Sequence, residues 1–238
     1  MKKRHLSLLL ILSLIMLSFG GCSRKEQSNQ SLSDSSKSQS SSDIPVSDTS
    51  EKSPIDEYKS FLQNKATFFS VDANENIYIN EIKKAVSSDD SVKAYVSKFA
   101  ILDMEGDNIP EIILQLTVND NEYYGYEVLS YKDGVVYGYT MWYRTFMELK
   151  EDGTFSFSGG ASDYGFGTVQ FTDKGYIIDK ITYCESVYNP DNTQGISYIV
   201  NRESATEEEF NAAIDKQNEK NNATWYDFTD ENILNYLR

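Results

Sequence analysis

The sequence predicts an α+β fold: an antiparallel β-meander, curled or partly closed into a barrel, with short helices at its N-terminal and C-terminal ends. From about residue 94 the chain consists of short runs rich in Val, Ile, Tyr and Phe, which favour β-strands. Turn sequences such as Lys132-Asp133-Gly134 separate these runs, and links this short join antiparallel neighbours. On both sides of this region, apolar residues recur at helical spacing.

The first 53 residues are expected to lie outside the folded domain. A basic start precedes an apolar run over 6–19, which has the length of a signal-peptide core and is too short for the roughly 20 residues of a membrane span. The small residues before Cys22 resemble the lipobox of bacterial lipoproteins, with Phe19 where the pattern prefers Leu. We therefore predict a lipoprotein signal peptide over 1–21 and lipidation, as palmitate, of Cys22. The alternative is an ordinary signal peptide with an incidental cysteine.

The segment 22–53 is rich in serine and contains no aromatic residue. Such a composition cannot bury enough apolar surface to offset the entropy of the chain, so we predict a disordered tether. A single extracytoplasmic domain is then expected over 54–238.

The elements of that domain follow from apolar spacing and turn residues. Helices are predicted over 54–62 and 80–86. Thr206, with Glu209 three residues later, forms a capping-box pattern that begins a third helix, and Thr229 can cap a fourth. Between these helices we predict strands at 94–102, 110–118, 122–131, 135–143, 145–150, 154–158, 166–172, 176–185 and 195–201.

The net charge and the number of histidines exclude several classes of function for this protein. The chain has 37 Asp and Glu against 22 Lys and Arg, a formal net charge of −15. Its surface should repel nucleic acid, so no nucleic-acid partner is expected. The sole histidine is His5, inside the predicted signal peptide. A mature chain without histidine excludes Ser-His-Asp catalysis and histidine zinc sites. Cys184, in a predicted strand, is expected to be a buried structural thiol.

Acidic residues alternate along the stretch ILDMEGDNIPEIIL, residues 101–114. Oxygen atoms at alternate positions of a tight loop suit calcium, which takes several oxygen ligands. The alternative is a solvated acidic hairpin without metal, in which water screens the repulsion between the carboxylates. We predict Ca²⁺ binding by the side chains of Asp103, Glu105, Asp107 and Glu111 and by the carbonyl of Ile109.

The loop resembles the Asp-x-Asp-Gly-Asp-Gly-x-x-Asp/Glu calcium loops of integrin-type repeats and, more loosely, EF-hands. It departs from them because Glu105 is longer than the usual ligand and Asn108 replaces the second Gly. Together with YEVLSYKDGVVYGY, RTFMELKEDGTFSFSGGAS and EEEFNAAIDKQNEKNNATWYDFT, it also resembles a group of secreted lipoproteins of Gram-positive, Clostridia-like anaerobes without an assigned activity. The resemblance covers about 54–238. It implies an extracytoplasmic domain with a cation loop and no particular reaction.

Aromatic residues alternate along two adjacent predicted strands and suggest a binding face. Aromatic rings present flat apolar surfaces with polar edges, which suit stacking on sugars. The alternative is a sheet face packed under the helices, since tyrosine favours strands in any case. The residues of this possible ligand-binding face are Tyr124, Tyr126, Tyr137, Tyr139 and Trp142.

These observations favour a non-catalytic domain that is anchored by lipid on the outer face of the cell membrane of a Gram-positive bacterium. We expect it to be stabilised by calcium and to bind a cell-surface protein or a polymer such as a glycan. The alternative is a carbohydrate-active enzyme or glycan-binding module that uses carboxylates and the aromatic face. Nothing in the sequence selects a pair of catalytic carboxylates, because the separation that matters is spatial.

Overall fold

The protein's computed structural model describes residues 53–238, and this part of the chain begins with two short helices around a small β-hairpin. Ser53 caps the first helix by accepting a hydrogen bond from the Asp56 backbone N–H at 3.2 Å. Pro54 occupies the first helical position, where a missing N–H costs nothing. In chain order the elements are α1 (Pro54–Leu62), β1 (Phe68–Ser70), β2 (Glu75–Ile77), a 3-10 turn (Ile79–Glu81) and α2 (Lys83–Val86).

The middle of the chain is a succession of longer strands. Asp133 and Gly134 form the tight link between β5 and β6, and both have the positive φ angles (50° and 85°) that favoured two-residue hairpin turns require. A 3-10 turn (Tyr143–Thr145) follows β6. The strands are β3 (Ala94–Leu102), β4 (Glu111–Val118), β5 (Asn121–Lys132), β6 (Val135–Trp142), β7 (Phe155–Gly160), β8 (Asp163–Thr172), β9 (Gly175–Tyr188), β10 (Gln194–Val200) and β11 (Glu203–Ala205).

The C-terminal part contains α3 (Glu207–Asn218), β12 (Tyr226–Asp227) and α4 (Asp230–Tyr236). The predicted capping box of α3 is present: the Thr206 hydroxyl accepts from the Glu209 N–H, and the Glu209 carboxylate accepts from the Thr206 N–H. Thr229 caps α4 in the same way through the Asn232 N–H. Both predicted helix starts are confirmed.

The strands form two sheets. The first has seven strands in the order β12-β3-β4-β5-β6-β1-β2, and the second has five in the order β11-β10-β9-β8-β7. Within residues 53–238 the pairings between these strands are antiparallel, except for the parallel pairing of β1 with β6. Within the described residues neither sheet closes on itself, so both are open, curled sheets.

Two apolar cores lie on the two faces of the seven-stranded sheet. One core joins that sheet to α1, α2 and α4, with Tyr58, Ala85 and Ile233 packed against Leu114. The other core lies between the two sheets and includes Ile113, Val128 and Met141 from the first sheet and Phe155, Val169 and Phe171 from the second. The remaining helix, α3, packs on the five-stranded sheet, where Phe210 contacts the rings of Tyr164 and Tyr198.

The predicted fold class is confirmed, because the chain is α+β with mostly antiparallel sheets and short terminal helices. The strands divide between two sheets, because the chain leaves the first sheet after β6. The predicted strand at 145–150 is absent: Phe146 and Leu149, three positions apart, both point into the core between the sheets, a spacing that a strand does not allow. No helix within 53–238 is both long and apolar enough to cross a membrane.

Candidate functional site

The acidic loop between β3 and β4 is organised by Asp103. Its Oδ1 accepts hydrogen bonds from the backbone N–H groups of Gly106 (2.7 Å) and Asp107 (3.2 Å), and its Oδ2 accepts from Asn108 (2.9 Å). Gly106 and Asn108 adopt positive φ angles of 75° and 67°, which Gly and Asn tolerate best. Asp103 therefore acts as the acceptor that closes the turn.

The next two acidic residues also bind backbone N–H groups. Asp107 Oδ1 accepts from the N–H of Ile109 at 2.8 Å. Glu105 points away from the loop and its Oε1 accepts from the N–H of Phe171, in β8 of the other sheet, at 3.1 Å. Glu105 is longer than the Asp that calcium loops use at this position, and this length lets it span to the neighbouring sheet.

Glu111 lies inside the protein, with only 1 % of its surface exposed. Its Oε2 accepts from the Met104 N–H at 2.8 Å, and its Oε1 accepts from the Ser130 hydroxyl at 3.2 Å. Burial, together with the nearby carboxylates of Glu105 and Asp107, raises the pKa of Glu111 to about 8, against the lowering effect of these two hydrogen bonds. Near neutral pH this carboxyl is therefore largely protonated.

The carboxyl groups of the loop thus diverge. The Asp103 carboxylate closes the turn, the Glu105 carboxylate binds the second sheet, and the Glu111 carboxyl is buried at the start of β4. The oxygen atoms of these three groups therefore do not surround one point. Among residues 53–238, no group of three or more acidic, histidine or cysteine side chains is placed to hold a metal ion. These positions do not fit a calcium ion as they stand, and calcium binding by this loop stays a prediction.

The acidic loop between β3 and β4 joins the two sheets. The Phe171 N–H binds Glu105, and the Phe171 carbonyl accepts from the Lys132 ammonium group at 2.9 Å. One residue later, the Thr172 carbonyl accepts from the Tyr139 hydroxyl at 2.7 Å. Three side chains of the first sheet and its loop therefore satisfy the backbone at the end of β8, beyond the part that pairs with β7.

The predicted aromatic face is not one surface. Tyr126, Tyr137 and Tyr139 face the core between the sheets, and Tyr139 is only 1 % exposed and stacks on Phe171 with ring centroids 4.8 Å apart. Tyr124 packs with the other core instead. The chain passes through Gly125 at φ 156°, where a β-carbon would lie 2.4 Å from the Met141 carbonyl oxygen, and the β4–β5 register shifts nearby. This irregularity breaks the alternation on which the prediction depended.

Two pairs of aromatic rings do lie at the open end of the β5–β6 hairpin, opposite its turn. We call these two pairs together the hairpin-end cluster, and their members are Tyr123, Tyr124, Trp142 and Tyr143. Tyr124 and Trp142 have ring centroids 5.1 Å apart, and Tyr123 and Tyr143 form an edge-to-face pair at 5.3 Å. Trp142 is 53 % exposed and Tyr123 is 67 % exposed. An exposed tryptophan supported by other rings is unusual for a residue that is mostly buried on average.

A second buried carboxyl, Glu127, lies on the helix side of the seven-stranded sheet and was not identified from the sequence. It is fully buried, and its Oε2 lies 2.8 Å from the hydroxyl of Thr140, which in turn lies 3.3 Å from the Ala85 carbonyl oxygen. Its Oε1 has no hydrogen-bond partner in the described part of the chain. Burial, with a smaller contribution from the negative charge of Asp72, raises the pKa of Glu127 to about 8. The sequence signal that could have identified Glu127 is an acidic residue at a core position of an apolar strand.

The structure describes only one of the two cysteines. Cys184 is buried in β9, with 1 % exposure, as predicted for a structural thiol. Cys22, the predicted lipidation site, lies outside the described residues, as do the predicted signal peptide and most of the tether. Lipid anchoring therefore stays a prediction from the sequence.

In comparisons with known proteins, no protein-family model, curated protein or solved structure matches the chain. The resemblance to secreted lipoproteins accordingly stays a prediction that depends on the sequence segments quoted above. The function has to be argued from the side chains of this chain alone.

Proposed function

We propose that this protein is a lipid-anchored, non-catalytic surface domain that binds a neutral carbohydrate polymer through the hairpin-end cluster. The exposed ring of Trp142 carries the proposal. Its 53 % exposure leaves a large flat apolar surface open to solvent, and its contact with Tyr124 holds the indole in place. Sugar rings stack on such surfaces, and the polar edge of each aromatic ring remains free for hydrogen bonds.

The surroundings of the cluster favour a sugar over an apolar peptide. Polar side chains flank the rings: Asn121 and Glu122 precede Tyr123, and the exposed Arg144 follows Tyr143 and donates to the Ser158 hydroxyl at 2.9 Å. Hydroxyl-rich ligands can form hydrogen bonds with such groups, whereas a purely apolar ligand cannot. The net charge of −15 disfavours anionic polymers, so a neutral glycan is the best fit.

The hydrogen bond of the Tyr124 hydroxyl further supports a preformed surface. This hydroxyl donates to the Val86 carbonyl at 3.3 Å, which fixes the ring against the end of α2. A surface whose rings are already held loses little side-chain freedom when a ligand binds.

We propose a non-catalytic role because of where the two carboxyls with strongly raised pKa values lie. Such carboxyls are the usual candidates for general acids. Glu111 and Glu127 are 1 % and 0 % exposed, and both bind protein groups within the domain, so neither is placed to meet a substrate.

The proposal also includes the predicted lipid anchor and tether, which place the domain close to the membrane. If Cys22 carries lipid, the tether that follows it has an r.m.s. span on the order of 30 Å. A domain on such a tether can reach polymers close to the membrane surface. This part depends on the sequence and on the resemblance to lipoproteins described above.

Affinity electrophoresis in gels containing soluble neutral polysaccharides (glucan, xylan and mannan) tests the proposal. We expect at least one polysaccharide to retard the protein, and Trp142→Ala to weaken that retardation by about tenfold or more, as expected for an exposed stacking residue. Tyr188→Ala is the matched control, because Tyr188 is 79 % exposed on a different sheet. Equal mobility in every gel, or equal retardation of Trp142→Ala and the native protein, would refute it.

A further inference from the structure

A cleft of about 470 Å³ lies between α3 and the five-stranded sheet, separate from both the acidic loop and the hairpin-end cluster. The apolar part of its wall is formed by Phe166 of β8, Ile181 of β9, Val200 of β10 and Ala213 of α3. Lys220 also lines the cleft, with its ammonium group 5.8 Å from the centre of the Phe166 ring. A concave apolar surface with a few polar groups is the usual form of a small-molecule site.

Gln217 provides the distinctive polar group of this cleft. The side chain is only 2 % exposed, and its Nε2 donates to the Thr154 hydroxyl oxygen at 2.7 Å. Its other polar atom, Oε1, has no hydrogen-bond partner within the described residues. A buried carbonyl oxygen without a donor is unfavourable unless something else supplies one.

The free atom of Gln217 has to be the acceptor and not the donor. The Thr154 hydroxyl donates its single proton to Asp152 Oδ1 at 2.6 Å. Its oxygen can then only accept, and it accepts from Gln217 and, at 3.4 Å, from the Lys220 ammonium group. Rotating the Gln217 amide by half a turn would place two acceptors against each other. The orphaned oxygen is therefore a consequence of the hydrogen-bond network.

The rim of the cleft is polar and varied. Asn201 contributes an amide, Glu209 a carboxylate and Lys216 an ammonium group, and all three residues are exposed. These groups suit a ligand with several hydroxyls. The ligand that matches the whole cleft carries a small apolar group, a neutral N–H donor next to it, and hydroxyls farther out.

We propose that this cleft binds an acetamido sugar, such as an N-acetylhexosamine unit of a polymer. The acetamido methyl group packs among Phe166, Ile181 and Ala213, and the adjacent N–H donates to Gln217 Oε1. The sugar hydroxyls meet the polar rim. This site is distinct from the hairpin-end cluster, and its existence does not depend on carbohydrate binding there.

Calorimetric titration of the purified protein with the trimer of N-acetylglucosamine, and in parallel with cellotriose, tests the proposal. Cellotriose has the same linkage but carries a hydroxyl in place of each acetamido group. We expect the acetamido trimer to bind at least about tenfold more tightly, since one hydrogen bond and one buried methyl group are at stake. Gln217→Met, which keeps the side-chain length and removes the acceptor, should lose that preference.

Three further variants keep the test decisive. Ala213→Leu fills the cleft without touching Gln217, and it should also abolish the preference even if Gln217→Met fails to fold. Asn211→Ala, on the exposed side of α3, is the control that should bind like the native protein. Trp142→Ala should retain the preference, which separates this site from the hairpin-end cluster. No binding of the trimer, equal binding of the two trimers, equally tight binding of N-acetylglycine methylamide, or a preference unchanged in Ala213→Leu would overturn the proposal.

Discussion

Glu105 and Phe171, 66 positions apart in the chain, are joined by a hydrogen bond of 3.1 Å between the carboxylate of the acidic loop and the backbone N–H of β8. This bond ties the seven-stranded sheet to the five-stranded one. We expect Glu105→Ala to lower the free energy of unfolding by about 1–2 kcal/mol, because it leaves a partly buried N–H without an acceptor. Glu105→Gln keeps an acceptor and should lose less. Urea unfolding of the two variants, with the exposed Glu122→Ala as a control, checks this.

A substitution of Asp103 can distinguish a turn that is stable without metal from a calcium-binding loop. Its carboxylate accepts from three backbone N–H groups, so Asp103→Ala should lower the unfolding temperature by a similar amount in calcium and in chelator. Thermal unfolding of the native protein and the variant in both buffers makes the comparison. A loss confined to the calcium buffer, together with a rise of the native protein's unfolding temperature in calcium, would instead establish the metal site predicted from the sequence.

Glu127 makes the stability of the fold depend on pH. One hydroxyl proton of Thr140 cannot serve both the Glu127 carboxyl and the Ala85 carbonyl. A protonated Glu127 can donate to Thr140, and Thr140 can then donate to Ala85, so the neutral acid satisfies both contacts. This agrees with a pKa raised to about 8 by burial.

The direction of the pH effect follows from the raised pKa. Below about pH 4.5 Glu127 is protonated in both the folded and the unfolded chain, and its contribution to stability is fully present. Between about pH 4.5 and 8 the folded chain keeps the proton and the unfolded chain loses it, so stability falls by up to about 1.4 kcal/mol per pH unit for one such group. Glu111, whose pKa is also raised to about 8, acts in the same direction. Urea unfolding across this range should show the decline, and Glu127→Gln should make it shallower; a decline of unchanged slope would contradict the assignment.

Lys150 is expected to hold the end of α3. It is 4 % exposed, and its ammonium group donates to the carbonyls of Asn218 and Lys220 and to the side chain of Asn222. Lys150→Met keeps the aliphatic part of the side chain and removes the donors, which should cost about 1–3 kcal/mol of stability. Hydrogen exchange of the α3 amides should increase in this variant more than exchange in β4, whereas uniform change in both would argue against a local role.

We expect the cellular location to depend on lipidation of Cys22. We expect the native chain to enter the membrane fraction of a Gram-positive host, with a mature N-terminus at Cys22 that carries a lipid mass. Cys22→Ala should remove the lipid and release the protein. Mass spectrometry of the two forms and their fractionation make the test, and an unmodified Cys22 in the native protein would exclude the anchor.

The sequence allowed most of the fold to be predicted because its strongest signals are local. Capping residues such as Thr206 and Thr229 act within a few positions, and the turn at Asp133 and Gly134 depends on two residues. The short strands β1, β2, β11 and β12 have too few residues to show an alternating pattern. They form because longer neighbours offer them pairing partners.

The candidate sites were harder to predict because they depend on distant contacts. The spacing of Asp103, Glu105 and Glu111 indicates oxygen ligands, yet Glu105 binds Phe171 and Glu111 binds Met104 and Ser130 once the sheets are in place. Gln217 follows Phe210 and Ala213 at helical spacing, so a polar residue on an otherwise apolar helix face was visible. The orientation of its amide depends on Thr154, 63 positions earlier, which no local pattern predicts.

The strand order of the seven-stranded sheet has a consequence for how this protein is made. One edge is formed by β1 and β2, near the start of the domain, and the opposite edge by β12, near its end. Synthesis from the N-terminus leaves β3 without its outer neighbour until residues 226–227 emerge, and non-local pairings of this kind form slowly. If the predicted signal peptide directs export, a chain that has to stay unfolded until it has crossed the membrane would benefit from that delay.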